Sequence, residues 1–220
     1  MKLKRLLAAA LLAGLCPALS RAEYLLPNPE LYVGVSGGAT YCTTTMVPLY
    51  VDKTYKLGMD GGLVFRCITE KNFGIEVDLN YFQSGWADDY GYLQTDVYER
   101  RVDYVELPFL MHARIGKKAA RFFLNAGPKF AWFVQESETI SSSYMAEEVP
   151  YYGKAVETYF QWGVLGGLGF EVHMGPTVLG LEGRYYYGLS DMFSNAVTDP
   201  FVNSSLQQIS LNLFFLFQVK

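Results

Sequence analysis

His112 and His173 are the only histidines, and so the only side chains whose ordinary titration falls near neutral pH. A hydrolase or acyltransferase needs such a base within reach of a nucleophile that it activates. No serine stands beside either histidine. Their neighbours are Met111 and Ala113, Val172 and Met174. The chain is therefore expected not to be an enzyme. The acidic clusters Asp88–Asp89, Glu136 with Glu138, and Glu147–Glu148 supply oxygen ligands of the kind Ca²⁺ takes. None has the regular spacing of a Ca²⁺ loop, and a solvated acidic surface explains them. Gly167-Leu-Gly-Phe is a fragment of a dinucleotide fingerprint, without the third glycine or a following helix. No metal or other cofactor is expected. What remains is a set of scattered polar groups: Asp60, Asp78, Glu106, Lys129, Glu182, Arg184 and Asn212. Whether they meet depends on the elements that carry them.

Those elements alternate with a period of two. In Arg101–Arg114, Val105, Leu107, Phe109, Met111 and Ala113 form one phase. Tyr104, Glu106, Pro108, Leu110, His112 and Arg114 form the other. Such alternation is a β-strand with two unlike faces. The same pattern predicts strands over Leu31–Ala39, Tyr55–Arg66, Asn72–Gln83, Arg121–Gln135, Thr158–Val172, Val178–Tyr187 and Gln208–Val219. The connections between these eight strands run long, short, long, short, long, short, long. The long ones are Thr40–Thr54, Ser84–Arg100, Glu136–Glu157 and Gly188–Gln207. The short ones are Cys67–Lys71, Ile115–Ala120 and His173–Thr177. This is the rhythm of an outer-membrane barrel, with long external loops and short periplasmic turns.

Composition agrees. The chain of 220 residues is 50% hydrophobic and 16% aromatic, with only 18% charged residues, below the usual quarter. In each strand the bulky apolar residues lie on one face, opposite glycine, small polar and charged residues. Eight faces of Phe, Leu, Trp and Val would overfill the interior of an eight-stranded barrel, so they are expected to point outward into lipid. The fold class that follows is all-β, an eight-stranded antiparallel up-and-down transmembrane barrel. The start of the chain reads as a signal peptide over residues 1–22. Lys2, Lys4 and Arg5 precede an apolar run from Leu6 to Leu15, and the cut is placed after Ala22. Residues 23–220 form the barrel domain. Losing those four bases, Arg21 included, leaves 14 against 22 acids, a formal charge of −8. Such a chain is not expected to bind nucleic acid.

Strand directions alternate in a barrel, so heights can be counted from each turn. Counting places Asp60, Asp78, Glu106, Lys129, Glu182, Arg184 and Asn212 near mid-height on the inward phase. They are expected to form a charge network that closes the lumen. Lys129 and Arg184 would each serve more than one carboxylate, since buried charges must be paired. Cys42 and Cys67 fall at opposite ends of the second strand, Cys67 in a turn, too far apart for a disulfide. Pro108 and Pro128 lie inside neighbouring strands and are expected to leave a bulge or missing ladder bonds between strands four and five. The loop-side aromatics Trp86, Tyr90, Tyr92, Tyr144, Tyr151 and Tyr152 suit a membrane-edge belt or a partner surface.

Tyr104-Val-Glu-Leu-Pro-Phe-Leu110 resembles the Tyr-x-Glu-Leu/Ile-Pro-x-Leu strand of PorT-like outer-membrane barrel proteins. Gly163-Val-Leu-Gly-Gly-Leu-Gly-Phe-Glu171 is similar to the glycine-rich strand of that porin-like group, and the closing strand Gln208–Lys220 fits as well. The resemblance implies a small eight-stranded barrel in the outer membrane of a Gram-negative bacterium. Most members have no assigned function; some assist protein secretion. The implied partners are outer-membrane lipid and the barrel-assembly machinery, with an extracellular or envelope protein at the loops. One departure stands out: such barrels usually end on an aromatic residue read during assembly, and this chain ends Phe217-Gln-Val-Lys220. The functional expectation is a structural or surface-binding barrel with a closed polar lumen. A narrow channel for ions or small solutes is the alternative, and a lipid-modifying enzyme the third.

Overall fold

The computed structural model describes residues 29–49, 52–89, 98–117, 119–140, 152–193 and 203–219. The signal-peptide expectation for residues 1–22 lies outside these residues. Eight strands follow one another: β1 (Glu30–Val47), β2 (Asp52–Ile68), β3 (Phe73–Asp89), β4 (Tyr98–Lys117), β5 (Ala120–Ile140), β6 (Phe160–Met174), β7 (Thr177–Asp191) and β8 (Asn203–Gln218). Each pairs with its sequence neighbours, and β1 pairs antiparallel with β8, so the sheet closes into a barrel. Closure leaves no unpaired edge, the condition for crossing a bilayer with strands.

Alternation sorts the side chains as the sequence dictates. On β8, Ile209, Leu211, Leu213, Phe215 and Phe217 are exposed on the outside, while Ser210, Asn212, Phe214 and Leu216 are buried inside. On β3, Phe73, Ile75, Leu79 and Tyr81 point out, and Glu76, Asp78 and Asn80 point in. A soluble barrel would reverse these faces. A two-residue turn, Gly175 and Pro176, joins β6 to β7. Gly175 has φ 65°, the positive value that a two-residue II′ hairpin turn needs at its first central position.

Seven of the eight strands run further than the sequence pattern suggests, mostly at the loop end; β6 keeps the expected length but is shifted two residues toward the short turn, taking in His173. The strands are 15 to 21 residues long, against about 9–11 needed to cross a bilayer. Thr40–Thr54 is not a long loop. β1 continues to Val47, β2 begins at Asp52, and only residues 48–51 connect them. Thr43, Thr44 and Thr45 read as polar loop residues, yet they pair with Gln207, Leu206 and Ser205 of β8; β-branched threonine suits a strand. The other long connections shorten to residues 90–97, 141–159 and 192–202. Cys67 lies within β2 rather than in the turn. Cys42 likewise lies in a strand, β1, where it pairs with Lys56 of β2, while Cys67 pairs with Leu31 at the other end of β1; the two are far apart and both are free.

The two prolines interrupt the wall. Ladder pairing between β4 and β5 stops after Pro108↔Lys129 and resumes, in unchanged register, at Met111↔Ala126. Pairing between β3 and β4 likewise skips from Val77↔Phe109 to Asn80↔Glu106. Each proline lacks the N–H that would have bonded across. The expected gap is there, and it extends to the other side of β4 as well. The true bulge lies elsewhere on this pair, where the register shifts between Asp103 and Tyr104.

Candidate functional site

Four zones stack along the inside of the barrel. Nearest the short turns is an apolar cluster of Tyr32, Val64, Ile68, Phe123, Val178, Phe214 and Leu216. Glycine makes room for its rings. A Cβ on Gly180 would sit 2.2 Å from the Phe214 ring, and one on Gly169 2.3 Å from the Phe123 ring. A Cβ on Gly167 would likewise lie 2.4 Å from Glu182 Oε1. The Gly167-Leu-Gly169 fragment is thus a lumen lining on a strand.

Above this cluster lies a band of ion pairs centred on two arginines. Arg66 donates to Glu76 and to Glu171, each at 2.6 Å, and its guanidinium lies 5.0 Å from the Phe214 ring centroid. Arg184 reaches Asp78 at 2.7 Å, Glu182 at 2.7 Å and Glu76 at 3.1 Å. Asn125 ties the band together, donating to Glu182 at 2.8 Å and Glu76 at 3.0 Å. His112 contacts Asn125 at 2.8 Å, and His173 contacts Glu171 at 2.8 Å. Both histidines are therefore held by lumen or rim polar groups. The contacts described for them include no serine or cysteine nucleophile.

The third zone belongs to Lys129, which is fully buried. Its ammonium donates to Glu106 at 2.7 Å and to Gln208 at 2.6 Å. It also lies 3.8 Å from the Tyr186 ring centroid and 4.4 Å from that of Phe82, a cation–π arrangement on two faces. Asn80 donates to the same Glu106 at 3.1 Å. Lys129 thus holds one carboxylate, not several. An amide oxygen and two rings take the places counted for further acids. Asp60 accepts from Asn212 at 2.8 Å. Among the described contacts neither Arg184 nor Lys129 forms an ion pair with it.

Toward the long loops a second apolar cluster fills the interior, including Phe82, Trp86, Tyr98, Tyr104, Leu165, Met192, Phe193 and Leu206. Trp86 is fully buried here, so it is not a belt residue. Tyr152 stacks on Tyr98, with ring centroids 4.1 Å apart. Tyr90, Tyr92, Tyr144 and Tyr151 lie outside the described residues, as do Glu147 and Glu148. At the rim the acids of the Ca²⁺ reading are engaged by bases. Lys53 donates to Asp88 at 2.6 Å, and Arg100 donates to Glu136 at 2.5 Å. Lys56 pairs with Glu99. Segment 152–159 lies against this zone: Val156 is buried in the cluster, and Arg100 donates to the Lys154 carbonyl at 2.6 Å.

The seven residues singled out in the sequence thus fall into three groups. Asp78, Glu182 and Arg184 meet; Glu106 and Lys129 meet; Asp60 and Asn212 meet. Counting from turns missed Arg66, Glu76, Asn125, Glu171 and Gln208. All five are on the inward phase, so the phase alone was a signal for them.

A family model described as outer membrane protein beta-barrel domain matches residues 28–194. A search of curated proteins finds no match. Among solved structures, the outer membrane protein OprG from Pseudomonas aeruginosa is 13% identical and has a TM-score of 0.56. The match covers 86% of this chain and 95% of that one. Neisserial surface protein A is 11% identical at a TM-score of 0.44, covering 87% and 99%. The attachment invasion locus protein Ail of Yersinia pestis is 12% identical at 0.42, covering 86% and 99%. At this identity the likeness concerns the fold alone.

Proposed function

This chain belongs to the outer membrane protein β-barrel domain family, and we propose that it serves as a closed structural or surface-binding barrel rather than a channel or an enzyme. One observation carries the reading: apolar clusters bracket the buried ion pairs at both ends of the lumen. Water entering from either end must pass packed rings before it reaches Arg66, Arg184 or Lys129. Conduction would require breaking Arg184 from three carboxylates at once, or drawing Lys129 out of its ring cage. Function then falls to the surfaces. The long connections at the loop end carry the contacts with an extracellular or envelope partner. The wall meets outer-membrane lipid, and the barrel-assembly machinery inserts it after a signal peptide over residues 1–22 is removed. Nucleic acid has no place in this scheme. Closer kinship to PorT-like proteins is proposed on the Tyr104–Leu110 motif.

A narrow cation channel is the second reading, and it too has an observation behind it. In the lumen between the two apolar clusters, the buried carboxylates Asp60, Glu76, Asp78, Glu106, Glu171 and Glu182 outnumber the bases Arg66, Lys129 and Arg184. Single-channel recording of the purified barrel in planar bilayers separates the two. The closed barrel gives no steady conductance; steady, cation-selective steps would establish the channel and end the first reading. A lipid-hydrolysis and acyl-transfer assay on the same sample is expected to show no turnover.

A further inference from the structure

The outer wall carries a furrow near the short turns. Phe73, Ala113, Ile115, Phe122 and Leu124 line it, and it encloses about 380 Å³. Its cause is local. On the outward phase, Ala113 pairs with Phe73 on one side and Leu124 on the other. A methyl group between two large side chains leaves a trough between them. Phe73, Ile115, Phe122 and Leu124 all remain exposed, and the Phe122 ring is braced by Phe170, with centroids 5.1 Å apart.

The mouth of the trough is basic. Lys117 follows Ile115 on the same outward phase of β4, and Lys71 stands next to Asn72 at the furrow's edge. Both are exposed, and neither makes an ion pair among the described residues. Arg114, just inside, is already paired with Glu30 at 2.9 Å. Glu70, in the same turn as Lys71, is the nearby exposed acid in sequence. The turns therefore present unneutralised ammonium groups, although the chain as a whole is acidic. The loop-end rim differs: there Lys53, Lys56 and Arg100 are paired with acids.

An apolar trough that opens on two free cations at the membrane edge has the chemistry of one ligand class. We propose that this furrow binds an anionic phospholipid of the periplasm-facing leaflet, with an acyl chain over Ala113 and the phosphate between Lys71 and Lys117. A lone anionic headgroup would not use the trough. A zwitterionic lipid would offer the cations a phosphate already balanced by its own amine. The proposal rests on the membrane-spanning family fold and is independent of whether the lumen conducts.

The test uses the folded full barrel, first checked for insertion into phosphatidylcholine bilayers by its heat-modifiable gel mobility. It is then released from bilayers of phosphatidylcholine and phosphatidylglycerol with matched chains, and the retained lipid is counted by native mass spectrometry. Phosphatidylglycerol should be retained preferentially. Each of Lys71→Gln and Lys117→Gln should weaken that preference roughly fivefold, the contribution of one basic residue near a membrane surface. Ala113→Leu, which fills the trough and keeps both lysines, should abolish retention. Equal retention of the two lipids by the parent, or full preference in the double lysine variant, would overturn the site. So would a preference untouched by Ala113→Leu, which would mean a diffuse surface charge. A barrel that inserts normally and gives any of these results leaves the family assignment standing.

Discussion

The two halves of the lumen solve the same problem in different ways. In the turn-side half, Arg184 and Arg66 are hubs. One planar guanidinium reaches Glu76, Asp78 and Glu182, the other Glu76 and Glu171. In the loop-side half, Lys129 is an endpoint, satisfied by one carboxylate, one amide oxygen and two aromatic faces. The difference follows from the groups themselves. Guanidinium has five donors in a fixed fork and can join several acids. Ammonium is a compact charge that a small cage can enclose. The hub half should be brittle and the cage half replaceable.

Removing the main hub should have the largest effect. Arg184→Ala leaves three carboxylates without their shared base, and a loss of about 3–5 kcal/mol is expected, read from urea titration of the barrel in lipid vesicles. Arg184→Lys should recover little, because one ammonium cannot reproduce the fork. Glu182→Gln should cost less than Arg184→Ala; equal losses would mean that the hub is no more than one pair.

The outside of the same wall provides the next test. Leu79 is adjacent to Asp78 but faces outward, as does Leu211. Arg at either position should cost about 2–4 kcal/mol, since it would meet lipid near mid-membrane, and Leu57→Arg near the edge only about 0–1 kcal/mol. The stacked pair Tyr41 and Tyr55 beside Leu57 marks that edge. An unchanged stability for Leu79→Arg would show that this face does not meet lipid.

The cage half should tolerate joint replacement. Lys129→Met with Glu106→Gln removes both charges together, and the double variant should lie within about 1.5 kcal/mol of the parent. Lys129→Met alone should be markedly worse, because it strands Glu106. A double variant no better than the single one would make Lys129 a hub as well. The smallest effect concerns the thiols. Cys42 is fully buried and Cys67 partly exposed. A maleimide reagent should label Cys67 faster in the folded barrel and both after unfolding without reductant. Peptide mapping that found a Cys42–Cys67 bridge would contradict the register of β1 and β2.

The fold was largely legible because alternation in a strand is a local property. Phe73 to Tyr81 declares its two faces without reference to any other strand, and eight such segments with no long helix leave a barrel as the way to hide every edge. Strand ends were less legible. Thr43, Thr44 and Thr45 look like loop until β8 is beside them. Beyond the bilayer, strand and loop share a polar composition, and pairing partners decide between them.

The sequence alone determined which residues face inward, and so which charges had to find partners in the lumen. It did not determine which partners. Arg184 and Glu76 are 108 residues apart, and nothing local to either one names the other. Counting residues from each turn treats the strands as upright, whereas closing eight strands requires them to tilt and to shift in register around the ring. That stagger brings Arg66 and Glu76 to Arg184, and sets Lys129 apart with Gln208 and two rings. Phase is fixed by the chain's own geometry; height is fixed only when β1 meets β8.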